Sequence, residues 1–139
     1  MILSSQEIKT LIKRGEILIT PYPEIKETSI KIHLSEKIVL KPKAFILSVT
    51  KEKIKLSPNI VGFYDGYAQL ARKGVTTHLG SMFVDSDTNE HLTLEIFNFS
   101  DKEIVLEKDS RCGQLILMEV KWESFGTSGS GISSEAAPS

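Results

Sequence analysis

Two carboxylates stand out among the residues able to do chemistry. Asp85 opens the triplet Asp85-Ser86-Asp87, and Glu95 lies between Leu94 and Ile96. A carboxylate beside a water can take its proton and turn it into a nucleophile. Each also has a plainer reading. Asp is common at the head of a turn, and a residue between two apolar neighbours on an alternating strand points outward. Local pattern alone leaves both readings open. Near the C-terminus, Phe125-Gly126-Thr127-Ser128-Gly129 sets an aromatic before hydroxyls and glycines, whose O–H and N–H donors suit phosphate oxygens. The same composition also makes an ordinary Ser/Gly linker. His33, His78 and His91 are scattered without carboxylates at ligand spacing, so they read as core or surface residues and no protein-held metal is expected. Cys112 is the single cysteine. It cannot form an internal disulfide or build a zinc site, and reads as a small buried hydrophobe in a reducing cytosol.

These residues must be positioned by one domain, since 139 residues is a typical single-domain length. Apolar residues are 40% and charged residues 25%, an ordinary globular balance. Seventeen Lys and Arg against eighteen Asp and Glu leave a net charge of -1, without the clustered basic excess that a nucleic-acid partner requires. No apolar run approaches a membrane span, and Met1-Ile2-Leu3-Ser4-Ser5 lacks the basic and apolar regions of a signal peptide. The expected location is cytoplasmic.

Ser4 and Glu7 have capping-box spacing ahead of the stripe Ile8, Leu11, Ile12, and Gly15 suits a helix stop, so a short helix is predicted near residues 5–14. The period then changes to two. Ile17/Ile19, Ile30/Ile32/Leu34, Ile38/Leu40, Leu92/Leu94/Ile96 and Ile104/Leu106 alternate as half-buried strands do. Ala44 to Val49 and Leu115 to Val120 read as better-buried strands. Ser57-Pro58-Asn59, Asp65-Gly66, Asp85-Ser86-Asp87 and Ser100-Asp101 read as turns between them. The sum is an all-β sandwich or barrel, with a jelly roll among the candidates. From Ser124 onward, Gly, Ser, Thr, Ala and Pro dominate, so the expected division is a β domain over 1–123 and a flexible arm over 124–139.

Beyond this, the sequence resembles the dUTPase/dCTP deaminase family. Lys53 to Gly62, with Ser57-Pro58-Asn59, followed by Gly66-Tyr67-Ala68-Gln69-Leu70-Ala71-Arg72, is similar to the family's Leu-Pro turn and Gly-Arg-Ser-Ser-Leu-Ala-Arg stretch. Phe83-Val84-Asp85-Ser86-Asp87 resembles its Ile-Asp-Ser-Asp hairpin, and Leu92 to Asn98 the strand after it. Arg111-Cys112-Gly113-Gln114-Leu115 is similar to Arg-Ile-Ala-Gln-Leu, and Phe125 to Gly129 to the dUTPase closing arm Phe-Gly-Ser-Thr-Gly. The helical opening is more like the deaminase branch.

The resemblance implies a distorted jelly-roll β-barrel or sandwich with a short N-terminal helix. It also implies a homotrimer, with sites between subunits that take a deoxypyrimidine triphosphate with Mg²⁺ on its phosphates. Asp85 would ready the water for attack on the α-phosphorus. Leu79, Gly80 and Ser81, with Val84, would line the base pocket. Glu95 and Arg72 fit the deaminase pattern, Glu95 as proton shuttle; Gln114 and the arm residues Phe125, Gly126, Thr127 and Ser128 favour triphosphate hydrolysis. The leading expectation is hydrolysis of dUTP to dUMP and pyrophosphate. The alternatives are dCTP deamination, alone or with hydrolysis, and a catalytically inactive homologue that binds nucleotide or serves as a structural trimer. Three departures bear on the choice. Lys31 stands where an Asp normally helps organise Mg²⁺, and it cannot ligate a metal. Tyr67, Ala68 and Gln69 replace a forked cation and hydroxyls that grip phosphates. Thr88 and Glu90 replace the aromatic that packs under the sugar and the Gly that follows it.

Overall fold

The computed structural model describes residues 1–122. Helix α1 (Ser5–Lys13) begins with the expected capping box: the Ser4 hydroxyl accepts from the Glu7 N–H at 3.2 Å, and the Glu7 carboxylate accepts from the Ser4 N–H at 3.0 Å. Ile8 and Leu11 are its buried side chains. The chain leaves the helix through Gly15 at φ +80, a conformation that costs glycine no Cβ clash.

Strands β1 (Ile17–Thr20), β2 (Glu24–Lys26), β3 (Ser29–His33), β4 (Ile38–Leu40), β5 (Phe45–Leu56) and β6 (Ile60–Gly66) follow. Helix α2 (Ala68–Arg72) then precedes β7 (Val75–Thr76), β8 (Phe83–Val84), β9 (Asn89–Asn98), β10 (Ile104–Leu106) and β11 (Arg111–Glu119). They form a sheet in the order β1-β5-β9-β7, a second in the order β2-β3-β11-β6-β8, and a β10-β4 pair. Every pairing is antiparallel. No sheet closes on itself, so the architecture is a jelly-roll-like sandwich rather than a barrel. Inward residues of both larger sheets merge into one core that includes Ile17, Ile54, Leu94 and Ile96 with Ile30, Ile32, Ile60 and Leu115, all fully buried. Each such side chain contributes roughly 1.5–3 kcal/mol of burial. A register slip of one residue would expose a whole row, so the alternation fixes the pairing.

Two expectations are corrected. The Ala44–Val49 segment is not a well-buried strand, because Phe45, Leu47 and Val49 are exposed. After Ile46, the inward row of β5 carries the polar residues Ser48, Thr50 and Glu52, and each finds a partner. The Ser48 hydroxyl donates to Glu36 at 2.8 Å, Thr50 accepts from the Leu92 N–H at 2.9 Å, and Glu52 accepts from the His33 N–H at 3.0 Å. Buried polar groups with partners are tolerated inside, and the apolar alternates are left outside. Asp65-Gly66 is not a turn: both residues extend β6, facing Gln114 and Gly113 across the ladder to β11. The other expected turns lie between strands.

Candidate functional site

The site begins at Gly62. A Cβ there would come within 2.9 Å of the Leu117 side chain and 3.1 Å of the Ile116 carbonyl, so only glycine lets β6 lie this close to β11. Val84 pairs with Gly62 and Phe83 with Phe63, which fixes β8 beside β6 and launches the turn Asp85-Ser86-Asp87. Asp87 takes φ +67, in the left-handed region where Asp is more tolerated than most residues. The Thr88 hydroxyl donates to the Asp85 carbonyl at 2.5 Å, and the chain then enters β9.

Between this hairpin and β9 lies a cleft of about 240 Å³ lined by Tyr64, Ser81, Met82, Phe83, Val84, Asp85, Thr88, Glu90, Leu92, Thr93 and Glu95. Asp85 is exposed on its wall, and among the described residues no hydrogen bond engages its carboxylate. Glu95 is differently placed. One of its oxygens accepts from the backbone N–H groups of Leu79 and Gly80 at 2.8 Å and of Ser81 at 3.0 Å. These bonds hold its carboxyl below the usual glutamate range. The cleft therefore brings together Ser81, Val84, Asp85 and Glu95, with Leu79 and Gly80 tied to it through Glu95.

A second cleft of about 390 Å³ lies at the start of α2, lined by Asp65, Gly66, Tyr67, Ala68, Ala71, Val75, Thr76, Thr77, His78 and Gln114. Gln114 donates to the Asp65 carboxylate at 3.0 Å, and the Arg111 guanidinium lies 4.5 Å from the centre of the Tyr67 ring. Gln69 and Arg72 sit on the exposed side of α2 and line neither cleft. Neither lining includes a lysine or arginine. The expected arm residues Phe125, Gly126, Thr127 and Ser128 lie outside the described residues.

Tyr64 lines the first cleft and touches Thr77 and His78 of the second, a placement that sequence reasoning missed. Its hydroxyl is 2.8 Å from the Thr77 hydroxyl and 3.4 Å from the Cys112 sulfur, while its ring meets His78 edge-on at 5.7 Å. Burial pushes the Tyr64 phenol well up and the Cys112 thiol to about 12, so neither ionises near neutrality. Its inward position on β6 was the available signal. Also missed was the pair in which His33 Nδ1 lies 2.5 Å from the buried Glu52 carboxylate, because the two are 19 residues apart.

For a divalent metal the residues present are a poor fit. Among the described residues no group of three or more His, Cys, Asp or Glu side chains is arranged to hold one. Lys31 donates to Glu24 at 3.0 Å, so the cation at the metal-organising place is taken up by a surface pair. No described helix is long and apolar enough to cross a membrane.

The comparisons with known proteins agree with this geometry. Residues 24–120 match the family model described as dCTP deaminase-like. A dUMP-forming dCTP deaminase of Aquifex aeolicus is 29% identical, over 84% of this chain and 80% of the relative. One from Salinispora arenicola is 31% identical over 67% of this chain, which spans only 48% of that relative. Among solved structures, dCTP deaminase from Agrobacterium tumefaciens superposes with TM-score 0.70 at 14% identity, covering 86% of this chain and 48% of that one. A mutant dUTPase from phage phi11 of S. aureus, described with a structural Mg(II) ion, gives TM-score 0.66 at 12% identity over 78% and 93%. At these identities the solved structures speak to the fold, and the family match speaks to descent: the chain belongs to the dCTP deaminase-like family.

Proposed function

We propose that the chain binds a deoxypyrimidine nucleoside triphosphate in the first cleft and hydrolyses dUTP to dUMP and pyrophosphate. The observation that carries this reading is the exposed Asp85 carboxylate, on the wall of a cleft that Ser81 and Met82 also line. Asp85 takes a proton from water, the oxygen attacks the α-phosphorus, and the bond to the bridging oxygen breaks to release pyrophosphate. Backbone groups near Ser81 and Val84 read the pyrimidine edge. The exposed Phe83 offers an apolar surface to the sugar where Thr88 cannot. Any Mg²⁺ rides on the substrate phosphates, where it supplies charge neutralisation.

The working form is a homotrimer. Phe45, Leu47 and Val49 expose a contiguous apolar strip beside β9, which supports burial against another subunit. A neighbour's second cleft would then face the triphosphate.

Deamination of dCTP is the second reading, favoured by the presence of Glu95 in the same cleft and by the names of the relatives. The three N–H donors engage one Glu95 oxygen and lower the carboxyl's pKa, whereas the Asp85 carboxylate stands exposed on the cleft wall, which places hydrolysis first. A third reading, nucleotide binding without turnover, draws on Lys31 and Tyr67-Ala68-Gln69.

Incubation with dUTP, dCTP and UTP, with and without Mg²⁺, separates the three when pyrophosphate and ammonia are followed independently. Pyrophosphate from dUTP without ammonia from dCTP is the expected result. Ammonia from dCTP establishes deamination, and tight binding with neither product leaves the non-catalytic reading.

A further inference from the structure

Two halves of β5 face outward with different chemistry. The outward residues are Phe45, Leu47 and Val49, and then Lys51, Lys53 and Lys55, all exposed. A net charge of -1 for the whole chain conceals this local basic row. Side chains on the same face do not neutralise it. Thr20 of β1 and His91 of β9 flank Lys53 across the ladders, and Leu18 and Asn89 flank Lys55. Lys51 pairs with Asp109 at 3.2 Å, whereas Lys53 and Lys55 make no ion pair among the described residues. Residues two apart on one face of a strand are spaced by about 6.7 Å, so two unneutralised ammonium groups sit side by side. His91 is fixed next to them, its Nδ1 2.9 Å from the Thr50 carbonyl.

This row borders the first cleft. Thr93, which lines the cleft, pairs with Val49, and His91, the next outward residue of β9, pairs with Lys53. The turn that carries Asp85 is tied to the end of β5 just past Lys55. There the Leu56 N–H donates to the Thr88 carbonyl at 2.8 Å, and the Asp87 N–H to the Ser57 carbonyl at 3.3 Å. With the base at Ser81 and Val84 and the α-phosphorus at Asp85, the phosphates therefore leave toward the end of the sheet that Lys53 and Lys55 occupy. Neither cleft is lined by a lysine or arginine, and Glu90 adds negative charge at this end. The charge of the phosphates has to be met from outside the lining. We propose that Lys53 and Lys55 form an anion-binding strip on β5 that holds the terminal phosphates of a nucleotide seated in the first cleft. The strip rests on the nucleotide reading above and adds a phosphate site to it. Lysine suits the place, because a point charge on a flexible stem follows a phosphate tail without demanding a fixed fork geometry.

Calorimetric titration of the full chain tests this with two probes, deoxyuridine and a dUTP analogue whose imido bridge replaces the α–β oxygen. The first presents base and sugar alone; the second adds phosphates that resist cleavage. Three double variants are compared with the parent: Lys53→Gln with Lys55→Gln, Lys53→Arg with Lys55→Arg, and Lys9→Gln with Lys13→Gln. The last removes the same charge from the exposed side of α1. The β5 glutamine variant is expected to bind the analogue about tenfold more weakly at low salt, with deoxyuridine binding unchanged. That difference should shrink as salt rises, since exposed charges are screened. The arginine variant and the α1 variant are expected to match the parent. Unchanged analogue binding in the β5 glutamine variant overturns the proposal. So does an equal loss for deoxyuridine, which would make the lysines part of the base and sugar pocket. An equal loss in the α1 variant also overturns it, by assigning the effect to net charge. A parent that binds neither probe removes the nucleotide reading and the strip together. A parent that binds both, beside an unaltered glutamine variant, removes the strip alone.

Discussion

The two clefts, linked through Tyr64, divide the required chemistry unequally. The first holds Asp85, Glu95 and a loop of main chain, the parts that the proposed reading uses to seat a pyrimidine and ready a water. The second is lined by Tyr67 and Ala68, with Gln69 outside it, where the family resemblance calls for a forked cation and hydroxyls, and its nearby guanidinium, on Arg111, lies against the Tyr67 ring. Phosphoryl transfer concentrates negative charge on the phosphates, and stabilising that charge is commonly the largest part of catalysis. On the proposed reading, the attacking half of the machinery is kept, the charge-stabilising half is altered, and turnover is limited at the second cleft.

The largest effect follows from removing the kept half. Asp85→Asn is expected to lower pyrophosphate release by about 10²–10⁴-fold. Its thermal midpoint should match the parent's, because this exposed carboxylate makes no hydrogen bond among the described residues. A coupled pyrophosphate assay beside a melting curve reads both, and equal rates would take Asp85 out of the mechanism. Next comes repair of the altered half. Tyr67→Arg, Ala68→Ser and Gln69→Ser together are expected to raise kcat for dUTP by about 10²-fold, the scale of one restored transition-state donor. Ala68 and Gln69 are exposed at the start of α2, but Tyr67 is half-buried against the core and stacked with Arg111, so a melting curve of the triple variant is read beside the assay. No gain in kcat would show that the second cleft is not where the rate is lost.

Much of this division was legible in the chain before any coordinates. The capping box at Ser4 and Glu7 and the alternating isoleucines are local signals, and both reappear in the fold. The place of Asp85 at a turn was legible through its surrounding motif, and the structure puts it on a cleft wall. What was not legible depends on partners far away in sequence. The inward row Ser48, Thr50, Glu52 defeats a hydrophobicity rule, since the groups that satisfy it lie on β3, on β9 and at Glu36. The Glu95 clamp is equally non-local, spanning 14 to 16 residues, so a strand pattern shows only that residue 95 points outward. Nor could spacing show that Tyr64 lines one cleft and touches the other.

A smaller effect sharpens the role of Tyr64. At Gly113 an added Cβ would strike the Tyr64 ring and hydroxyl and the Asp65 carbonyl, so Gly113→Ala must move the element that both clefts share. Overpacking of this sort costs about 1–3 kcal/mol. Urea unfolding should show a lower midpoint at unchanged slope. Gly80→Ala, whose Cβ would meet only the Glu95 carboxylate at 3.8 Å, serves as the contrast and should leave the midpoint in place. A parent-like Gly113→Ala would mean that Tyr64 can retreat, and that the clefts are less rigidly separated than their contacts imply.

The smallest effect is a pH dependence confined to the first cleft. The Glu95 carboxyl titrates below its ordinary value of 4.5, chiefly because the Leu79, Ser81 and Gly80 N–H groups favour the charged form, with His78 nearby adding to it. A folded-state value below the unfolded one stabilises fully above 4.5, and the contribution fades as pH falls through the depressed value. Protection of the Leu79, Gly80 and Ser81 amides, normalised for intrinsic exchange, should therefore stay level from neutrality down to about 4.5 and fall only in more acid solution. Asp85 and Glu90 also face this cleft, so the series is repeated in Asp85→Asn to remove the nearest carboxylate on the same hairpin. In Glu95→Gln, which has nothing to titrate at that position, protection should be lower at neutrality and flat with pH. A parent loop that loosens already near neutrality would mean that another group holds it, and the first cleft would then owe its shape to something other than the three bonds to that carboxylate.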